Sequence, residues 1–362
     1  MEVMAADDPR EPIFWGEIHC HSKMSDGLGD FEDLYRFARE EACLDFTSGT
    51  DHACYFTDNE WEWMQDVTNA ADEPGRFVTL VGYEWAGQQV HRNVYTSRDR
   101  LKLFRGMYRP TSSLDAVYPQ LTDDPEVVAG PHAPLSHGIK WEHHDPFLER
   151  FVEIYSMWGA SDEWKVNPLL PLGARGAGEY DDASNRKSVR QLLETGARLG
   201  FTGGGDCHEA RPGFTCEDSA RQGEVAHNFA RNLVYRCGLT AAVMPALDRR
   251  ELIRAIRGRR TYATTGARIL LDFSVGPLPM GSAGRCARAT CRVAVHAAGR
   301  IAALEIIGSG GVLHRTEPGT LDAEMAWTDP EPPAPGAWYY LRVIQEDGQR
   351  AWSSPVWIDP EG

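Results

Sequence analysis

Along the first two-thirds of the chain, short apolar runs typical of buried strands alternate with longer stretches that have helical spacing. The run at 77–85 is almost continuously apolar, as in a parallel strand that is covered on both faces. After Asp30, apolar residues recur three and four residues apart, which predicts an amphipathic helix. Strands are predicted at 44–49, 77–85, 91–95, 127–132, 151–155 and 200–208, and helices at 31–43, 58–71, 188–199 and 249–260.

This order of strand then helix, repeated about six or seven times, predicts an α/β protein with a parallel barrel. In such barrels the chemistry lies at the C-terminal ends of the strands. From about residue 276 the pattern changes to short alternating apolar runs separated by glycine turns, which predicts a small all-β domain of sandwich type. A chain of 362 residues is longer than those that usually fold around a single hydrophobic core, so more than one domain is expected. We predict a flexible N-terminus at 1–12, a barrel at 13–275 and a β-rich domain at 276–362.

Composition and charge narrow the classes of function. The chain is 42% hydrophobic and 25% charged, which is ordinary for a soluble globular protein. Its formal charge of −16 argues against a nucleic-acid or anionic-membrane partner, which would need a basic surface. A small anionic substrate is still allowed because bound metal ions can reverse the local field. Neither a signal peptide nor an apolar run of membrane-spanning length is recognisable, so a cytoplasmic location is expected.

The eight cysteines form no CxxC pair, which favours free thiols in a reducing compartment. Cys20 and Cys207 each stand between two polar residues of possible ligand type, and alternation along a strand turns them away from those neighbours. We therefore expect both to be core residues.

The segment 16–27 is the most informative of the chain. It reads as a short strand that runs into a loop, with His19 and His21 on one face of the strand. Two neighbouring imidazoles are a common start of a metal site, although two surface histidines on an edge strand would give the same pattern. The metal interpretation is favoured because other polar residues end the following strands in the same way.

Nine residues of ligand type fall at predicted strand ends, and they include six of the twelve histidines. Asp206 and His208 repeat the spacing of the first two histidines. Nitrogen and oxygen ligands without thiolate suit Zn, Mn or Fe, and nine ligands are too many for one ion. The nine residues are His19, His21, Asp26, His52, Glu84, His91, His132, Asp206 and His208.

In this order the motifs HxH, SDG, TDH, GYE, PH and DxH resemble those of the PHP (polymerase and histidinol phosphatase) superfamily. The flanking words GEIHCHSKMSDGLGD, GYEW, HRNVY, VEIYSMWG and GGGDCHEARPG are similar to one poorly characterised branch of it. The resemblance covers roughly residues 14–275. It implies a distorted (β/α)7 barrel with a trinuclear metal centre.

The resemblance also implies how the ligands are divided. His19, His21, Glu84 and Asp206 would hold the first ion; Glu84, His91 and His132 the second; and Asp26, His52 and His208 the third. Many members of the family have a histidine where this chain has Asp26. His137, His143 and His144 compete with His91 and His132 for the second site.

The chemistry implied is attack of a metal-bound hydroxide on a phosphoester of a small molecule, since several ions can acidify a water and clamp phosphoryl oxygens. The alternatives are hydrolysis of an amide, lactone, carboxylic ester or sulfate ester by the same centre, and a non-catalytic binding module. A homo-oligomer is left open. Two or three divalent ions are the expected cofactors.

Further residues are candidates for the reaction or for substrate binding. Glu84 and Asp206 are assigned to catalysis as ligands, and Arg211 as a phosphate clamp. His144 is a candidate proton donor, or else a residue of a solvated loop. Arg92 is a second candidate clamp, but each arginine could instead form a surface ion pair. Trp85, Trp141, Trp158 and Trp164 could line an apolar substrate pocket or belong to the core. Asp51 could hydrogen-bond to a ligand histidine or be a turn residue. Loops at 53–75, 97–125 and 157–183 would decide specificity.

Overall fold

The computed structural model of the chain describes residues 11–87, 90–107, 110–135, 138–163, 186–214 and 237–359. The described helices are α1 (Phe31–Glu40), α2 (Asp58–Ala70), α3 (Leu114–Val117), α4 (Val189–Glu194) and α5 (Arg249–Arg257), with 3₁₀ turns at Tyr118–Gln120 and Trp141–His143. The strands of the N-terminal part are β1 (Ile13–Cys20), β2 (Phe46–Gly49), β3 (Val78–Thr79), β4 (Val81–Gly87), β5 (Val90–Thr96), β6 (Val127–Pro131), β7 (Phe151–Ser156), β8 (Gly159–Ala160), β9 (Gly200–Gly203), β10 (Leu239–Val243) and β11 (Thr261–Thr264). The later strands are β12 (Leu270–Val275), β13 (Leu278–Pro279), β14 (Ala283–Gly284), β15 (Thr290–His296), β16 (Ile301–Gly308), β17 (Gly311–Thr316), β18 (Asp322–Thr328), β19 (Trp338–Gln345), β20 (Arg350–Ser353) and β21 (Val356–Ile358).

The helices form where the apolar spacing predicts them but are shorter. In α1 the residues spaced three and four apart are buried against the sheet, as predicted. α2 begins with a capping box, in which Thr57 accepts from the backbone of Glu60 and the Glu60 side chain accepts in return. The helix predicted at 188–199 ends at Glu194 because Gly196 takes a φ of +90°, a conformation that stops a helix.

The strands of the N-terminal part form a curled, half-barrel sheet. β1, β2 and β3 are parallel neighbours, and β7 is parallel to β9. Isolated bridges join the separate sheets at their carboxyl ends, pairing His52 with Glu84 and Cys20 with Cys207. The strand ends that carry the predicted ligands therefore lie side by side.

The alternation of strand and helix is interrupted by β4, β5 and β6. These three strands form an antiparallel meander. Only two residues separate β4 from β5, which is too few for the crossover that a parallel pair requires. The complete (β/α)7 barrel therefore stays a prediction.

Between β12 and β21 the chain contains strands and no helix, in agreement with a β-rich C-terminal region. β12, β13, β15 and β18 form one antiparallel sheet, and β16, β17, β19, β20 and β21 belong to another. Burial alternates along β15, and buried residues of both sheets, such as Val293 and Leu341, belong to one core.

The sheet continues across the predicted domain boundary at residue 275. β11 pairs with β10 on one side and with β20 on the other, so strands from the two ends of the chain share one sheet. The boundary itself stays a prediction. None of the described helices combines the length and the apolar character needed to cross a membrane.

Candidate metal centre

All nine predicted ligands converge at one edge of the curled sheet, where β1, β2, β6 and β9 end and β5 begins. His19 is near the end of β1, and Glu84 of β4 contacts His91 of the neighbouring strand β5. The remaining six follow strands as loop residues. These are His21 and Asp26 after β1, His52 after β2, His132 after β6, and Asp206 and His208 after β9.

The first group surrounds His21. Its Nε2 atom lies 3.1 Å from Glu84 Oε2, 3.2 Å from Asp206 Oδ1 and 3.3 Å from His19 Nε2. His19 Nε2 is in turn 3.4 Å from Asp206 Oδ1. All four side chains are buried, and one donor atom of each lies within 4.8 Å of the others, which is close enough to share one ion.

Glu84 lies at the middle of the cluster and uses its two oxygens differently. Glu84 Oε1 contacts His91 Nδ1 and lies 2.7 Å from His132 Nε2. Glu84 Oε2 lies 3.2 Å from His52 Nδ1, in addition to its contact with His21. A carboxylate in this position can bridge two ions.

A third group is centred on Asp26. Asp26 Oδ2 lies 3.5 Å from His52 Nε2 and 3.6 Å from His208 Nε2, and Asp26 Oδ1 lies 3.7 Å from His21 Nδ1. The donor atoms of these four side chains also lie within 4.8 Å of one another. The carboxylate at position 26 therefore occupies the place expected of a ligand.

Opposite charges within the cluster shift the pKa values of its members toward their ionised forms. Burial would raise the pKa of Glu84 and of Asp206, but the surrounding histidines lower both pKa values well below their usual range. Burial alone would lower the pKa of His19 and of His21, yet the carboxylates raise both well above the ordinary value. Burial likewise opposes ionisation of Asp26, whose pKa is nevertheless lowered by hydrogen bonds from His208 and His52.

The donor set fits divalent cations. Imidazole nitrogens and carboxylate oxygens suit Zn, Mn or Fe. Within the described residues, Glu84 Oε2 and His52 Nδ1 are buried atoms without a hydrogen-bond partner, although they are near each other. Buried polar atoms seldom lack partners, so two such atoms turned toward the same space fit a shared cation.

Glu153 belongs to the site although the sequence did not single it out as a ligand or partner. It lies on β7, and its Oε2 atom is 3.1 Å from His19 Nδ1. A side chain on Gly204 would collide with this carboxylate, so the glycine gives it room. A lone carboxylate inside the apolar strand FVEIY was the available signal.

Of the two roles predicted for Asp51, the structure shows that of a turn residue. It does not orient a histidine ring; instead its Oδ1 accepts from the backbone N–H of Ser22 at 2.9 Å and of Ser25 at 3.0 Å. Both serine hydroxyls also donate to it. Asp51 therefore shapes the loop that presents Asp26.

Two predicted substrate residues, Arg92 and Trp85, do not face the cluster. Each follows a ligand on a strand, so alternation turns its side chain to the opposite face. Both are 1% exposed; Arg92 donates to Glu149, and Trp85 Nε1 donates to the carbonyl of Thr111 at 3.0 Å. The prediction that these two residues contact the substrate is therefore wrong, and both have structural roles.

His144 and Arg211 are also engaged elsewhere. The ring of His144 stacks on Trp141 at 4.0 Å, and its Nδ1 lies 2.6 Å from Glu149 Oε2, behind the cluster. The guanidinium of Arg211 lies over the rings of Phe37 and Phe214. The predicted proton donor is therefore corrected, because stacking and a hydrogen bond hold the ring of His144. The role of Arg211 as a phosphate clamp stays a prediction.

Two aromatic residues do flank the cluster. The ring of Trp158 lies 6.3 Å from that of His208, and the ring of Tyr55 lies 6.0 Å from that of His52. Trp158 was predicted, whereas Tyr55, which is 59% exposed, was not. His143 contacts Asp115 instead of the cluster. Outside the described residues lie Trp164, His137, the loop at 164–183 and the N-terminal residues 1–10.

Comparison with known proteins gives relatives along most of the chain. Residues 31–145 match the family model described as protein of unknown function DUF3604. Uncharacterised proteins of Chlamydia pneumoniae and Chlamydia trachomatis are each 29% identical, over 97% and 96% of this chain and 58% and 57% of their own lengths. The chain thus spans little more than half of these curated relatives.

A crystal structure from Bacteroides vulgatus is also similar. It is of a two-domain protein containing a predicted PHP-like metal-dependent phosphoesterase. The match covers 98% of each chain, with a TM-score of 0.46 and 11% identity. The assignment of ligands in this chain rests on the distances above.

Proposed function

We propose that the chain is a metal-dependent hydrolase whose multinuclear centre cleaves a phosphoester of a small anionic molecule. The observation that carries the proposal is the position of Glu84, whose two oxygens contact different histidines of neighbouring ligand groups. A shared carboxylate of this kind is what a centre with more than one ion requires.

Three ions account for the overlapping donor groups. His19, His21, Glu84 and Asp206 would hold the first, Glu84, His91 and His132 the second, and Asp26, His52 and His208 the third. Divalent ions in such a centre lower the pKa of a coordinated water and neutralise phosphoryl oxygens. We infer that the sheet which carries them is the distorted (β/α)7 barrel that the motif order implies.

Other residues of the protein orient the ligands. Glu153 accepts a hydrogen bond from His19 Nδ1, which directs Nε2 toward Asp206 and Glu84. Asp51 fixes the loop before Asp26. Since phosphoryl transfer needs positioning and charge neutralisation more than covalent help, such an arrangement suffices for phosphoester hydrolysis.

The substrate class follows from charge. The protein carries a formal charge of −16, so a polyanion such as nucleic acid would be repelled away from the centre. A small anion needs to meet only the local positive charge of the ions. Tyr55 and Trp158 flank the centre and can contact an apolar part of such a molecule.

The test is removal and return of metal. Full-length protein is treated with chelator, reloaded with Zn, Mn or Fe, and assayed on phosphate monoesters, diesters and triesters beside carboxylic esters, sulfate esters, lactones and amides. We expect phosphoester turnover only after reloading. Equal turnover by the chelated protein would refute the proposal, and turnover of non-phosphate bonds alone would leave a hydrolase of another class.

Glu84→Gln separates catalysis from mere binding. The amide keeps the shape but loses the bridging charge, so phosphoester turnover should fall at least about 100-fold with loss of bound metal. Glu305→Gln is the matched control, since Glu305 is a buried glutamate of β16 that pairs with Arg342. A Glu84→Gln protein that keeps its metal and its turnover would contradict the central position of this residue.

A further inference from the structure

Three thiols and one carboxylate meet in the protein interior beside the histidine motifs. Cys20 ends β1, Cys207 follows β9, and Cys237 precedes β10. Cys20 Sγ lies 3.0 Å from Cys207 Sγ, and Cys207 shares a hydrogen bond with Cys237. Glu17 of β1 completes the group, and all four residues are at most 1% exposed.

Glu17 is the unusual member because only one of its oxygens is occupied. Glu17 Oε1 accepts from the backbone N–H of His19 at 2.5 Å and of Gly205 at 3.0 Å. Within the described residues, Glu17 Oε2 is buried without a hydrogen-bond partner. A buried carboxylate oxygen left in this state is costly unless a cation or donor satisfies it.

The carboxylate of Glu17 lies close to the thiols. One donor atom each of Glu17, Cys20 and Cys207 lies within 4.8 Å of the other two. A Cβ on Gly205 would be 3.1 Å from Glu17 Oε2 and 3.3 Å from Cys237 Sγ, so the carboxylate and the third thiol lie against the same glycine. The carboxylate and two thiols therefore share one small volume, and the third thiol borders it.

We propose that Glu17, Cys20, Cys207 and Cys237 bind one thiophilic divalent cation of the Zn²⁺ class. Thiolates are soft ligands that select such ions, and four protein donors make a closed site of the structural type. On binding, each coordinating thiol loses its proton. The site shares no donor with the histidine cluster, and it would tie the end of β1 to the segment after β9.

A disulfide is the competing explanation of the thiol contact, and it accounts for less of the geometry. The 3.0 Å between the two sulfurs exceeds the ~2.05 Å of a disulfide and is below the roughly 3.8 Å expected when Zn–S bonds of about 2.3 Å are tetrahedral. A disulfide would use Cys20 and Cys207 only. It would leave both Cys237 and the unpartnered oxygen of Glu17 without a role.

Cobalt reports thiolate coordination directly. Full-length protein is stripped of metal under reducing conditions and titrated with Co²⁺ while the near-ultraviolet absorbance is followed. We expect a sulfur-to-cobalt charge-transfer band whose final intensity corresponds to one thiolate-bound ion per chain, whatever cobalt the histidine cluster also binds, and which disappears when excess Zn²⁺ is added. Imidazole and carboxylate ligands give no such band, so the result is independent of the histidine cluster and of the proposed hydrolase activity.

Cysteine variants locate the site. Cys237→Ala should reduce the band by about one-third, because one of three sulfur ligands is lost. Cys291→Ala, which removes a buried thiol of β15, should leave the band unchanged. If Cys237→Ala does not fold, the wild-type titration and Cys237→Ser decide.

Two results would overturn the proposal. One is cobalt binding by the wild-type protein without a charge-transfer band, or with a band that Cys237→Ala and Cys237→Ser leave intact. The other is a mass shift and peptide map that show Cys20 joined to Cys207 in protein isolated without exposure to air.

Discussion

At the scale of single residues, Glu153 allows a sharp test because its carboxylate contacts the ring of the ligand His19. Its carboxylate is 3.1 Å from His19 Nδ1, which leaves Nε2 to face the first ligand group. Glu153→Gln keeps the size of the side chain but weakens this hydrogen bond to a neutral one. We expect metal affinity about 10- to 100-fold lower, measured by competition with a chromophoric chelator.

A role in folding alone would give another result for Glu153. The metal-free Glu153→Gln protein should then have a lower free energy of unfolding in denaturant as well as a lower metal affinity. Glu153→Asp would restore neither the stability nor the affinity. We expect instead that Glu153→Asp recovers part of the affinity, because a carboxylate is again available to the ring nitrogen.

Protonation of the ligand histidines makes the stability of the metal-free protein depend on pH. The carboxylates raise the pKa of His19 and His21 above the ordinary value of 6.5, so these charged forms stabilise the fold fully below that pH. Their contribution is lost as pH rises through the raised pKa values. The free energy of unfolding of chelated protein should therefore fall as pH increases above 6.5.

Metal-loaded protein should behave in the opposite way over the same range. Ions compete with protons for the imidazole nitrogens, so their affinity rises with pH and stabilises the fold. Urea unfolding of both forms across this range measures the difference. Parallel pH profiles would mean that the ions do not bind through His19 and His21.

At the scale of elements, the sequence predicted which strand ends carry ligands better than which way neighbouring side chains point. Alternation was applied to Cys20 and Cys207, which are indeed buried beside the ligands. The same rule turns Trp85 away from Glu84 and Arg92 away from His91, and both were nevertheless expected at the substrate. Within a strand, a residue next to a ligand in sequence is therefore not expected to reach the substrate, because its side chain lies on the opposite face.

Asp51 links two elements, since it follows β2 and holds the loop after β1 through Ser22 and Ser25. Asp51→Ala would free this loop and with it Asp26. We expect the ion assigned to Asp26, His52 and His208 to bind about 10- to 100-fold more weakly. Elemental analysis after dialysis should then find one ion fewer per chain.

The other end of β2 offers a matched control for that loss. Asp45 precedes the strand and accepts from the backbone N–H of Trp15 at 2.7 Å, far from the ligand loop. Asp45→Ala should lower stability yet keep all ions. Equal metal loss in both variants would show that Asp51 acts through β2 in general and not through the loop.

At the scale of the whole molecule, pairings between distant segments were beyond the reach of sequence patterns. The β-rich character after residue 276 could be predicted from short alternating runs. That β20 would pair with β11, about 90 residues earlier, could not, because strand patterns are local and do not identify partners. The antiparallel meander of β4–β6 was missed for the same reason.

Arg342 tests whether the two ends of the chain form one cooperative structure. It lies on β19, is buried, and donates to Asp162 at 2.8 Å, Glu163 at 2.7 Å and Glu305 at 2.7 Å. Burial would lower its pKa, but these carboxylates raise it. Arg342→Met would remove the cation that these buried carboxylates share, although Arg190 still pairs with Glu163 and Arg315 with Glu305. Breaking a buried ion pair of this kind costs roughly 3–5 kcal/mol.

The position of Arg342 determines whether the loss of stability should affect one unfolding transition or two. Asp162 and Glu163 follow β8 beside the metal-binding half, and because β20 continues the sheet of β11, the loss should shift one common transition. Urea unfolding followed by tryptophan fluorescence and by metal release should move together. Arg300→Met, at an exposed arginine 3.7 Å from Glu346, should change stability by less than about 1 kcal/mol. Two separate transitions in Arg342→Met, with metal release unaffected, would instead mean that the C-terminal strands unfold on their own.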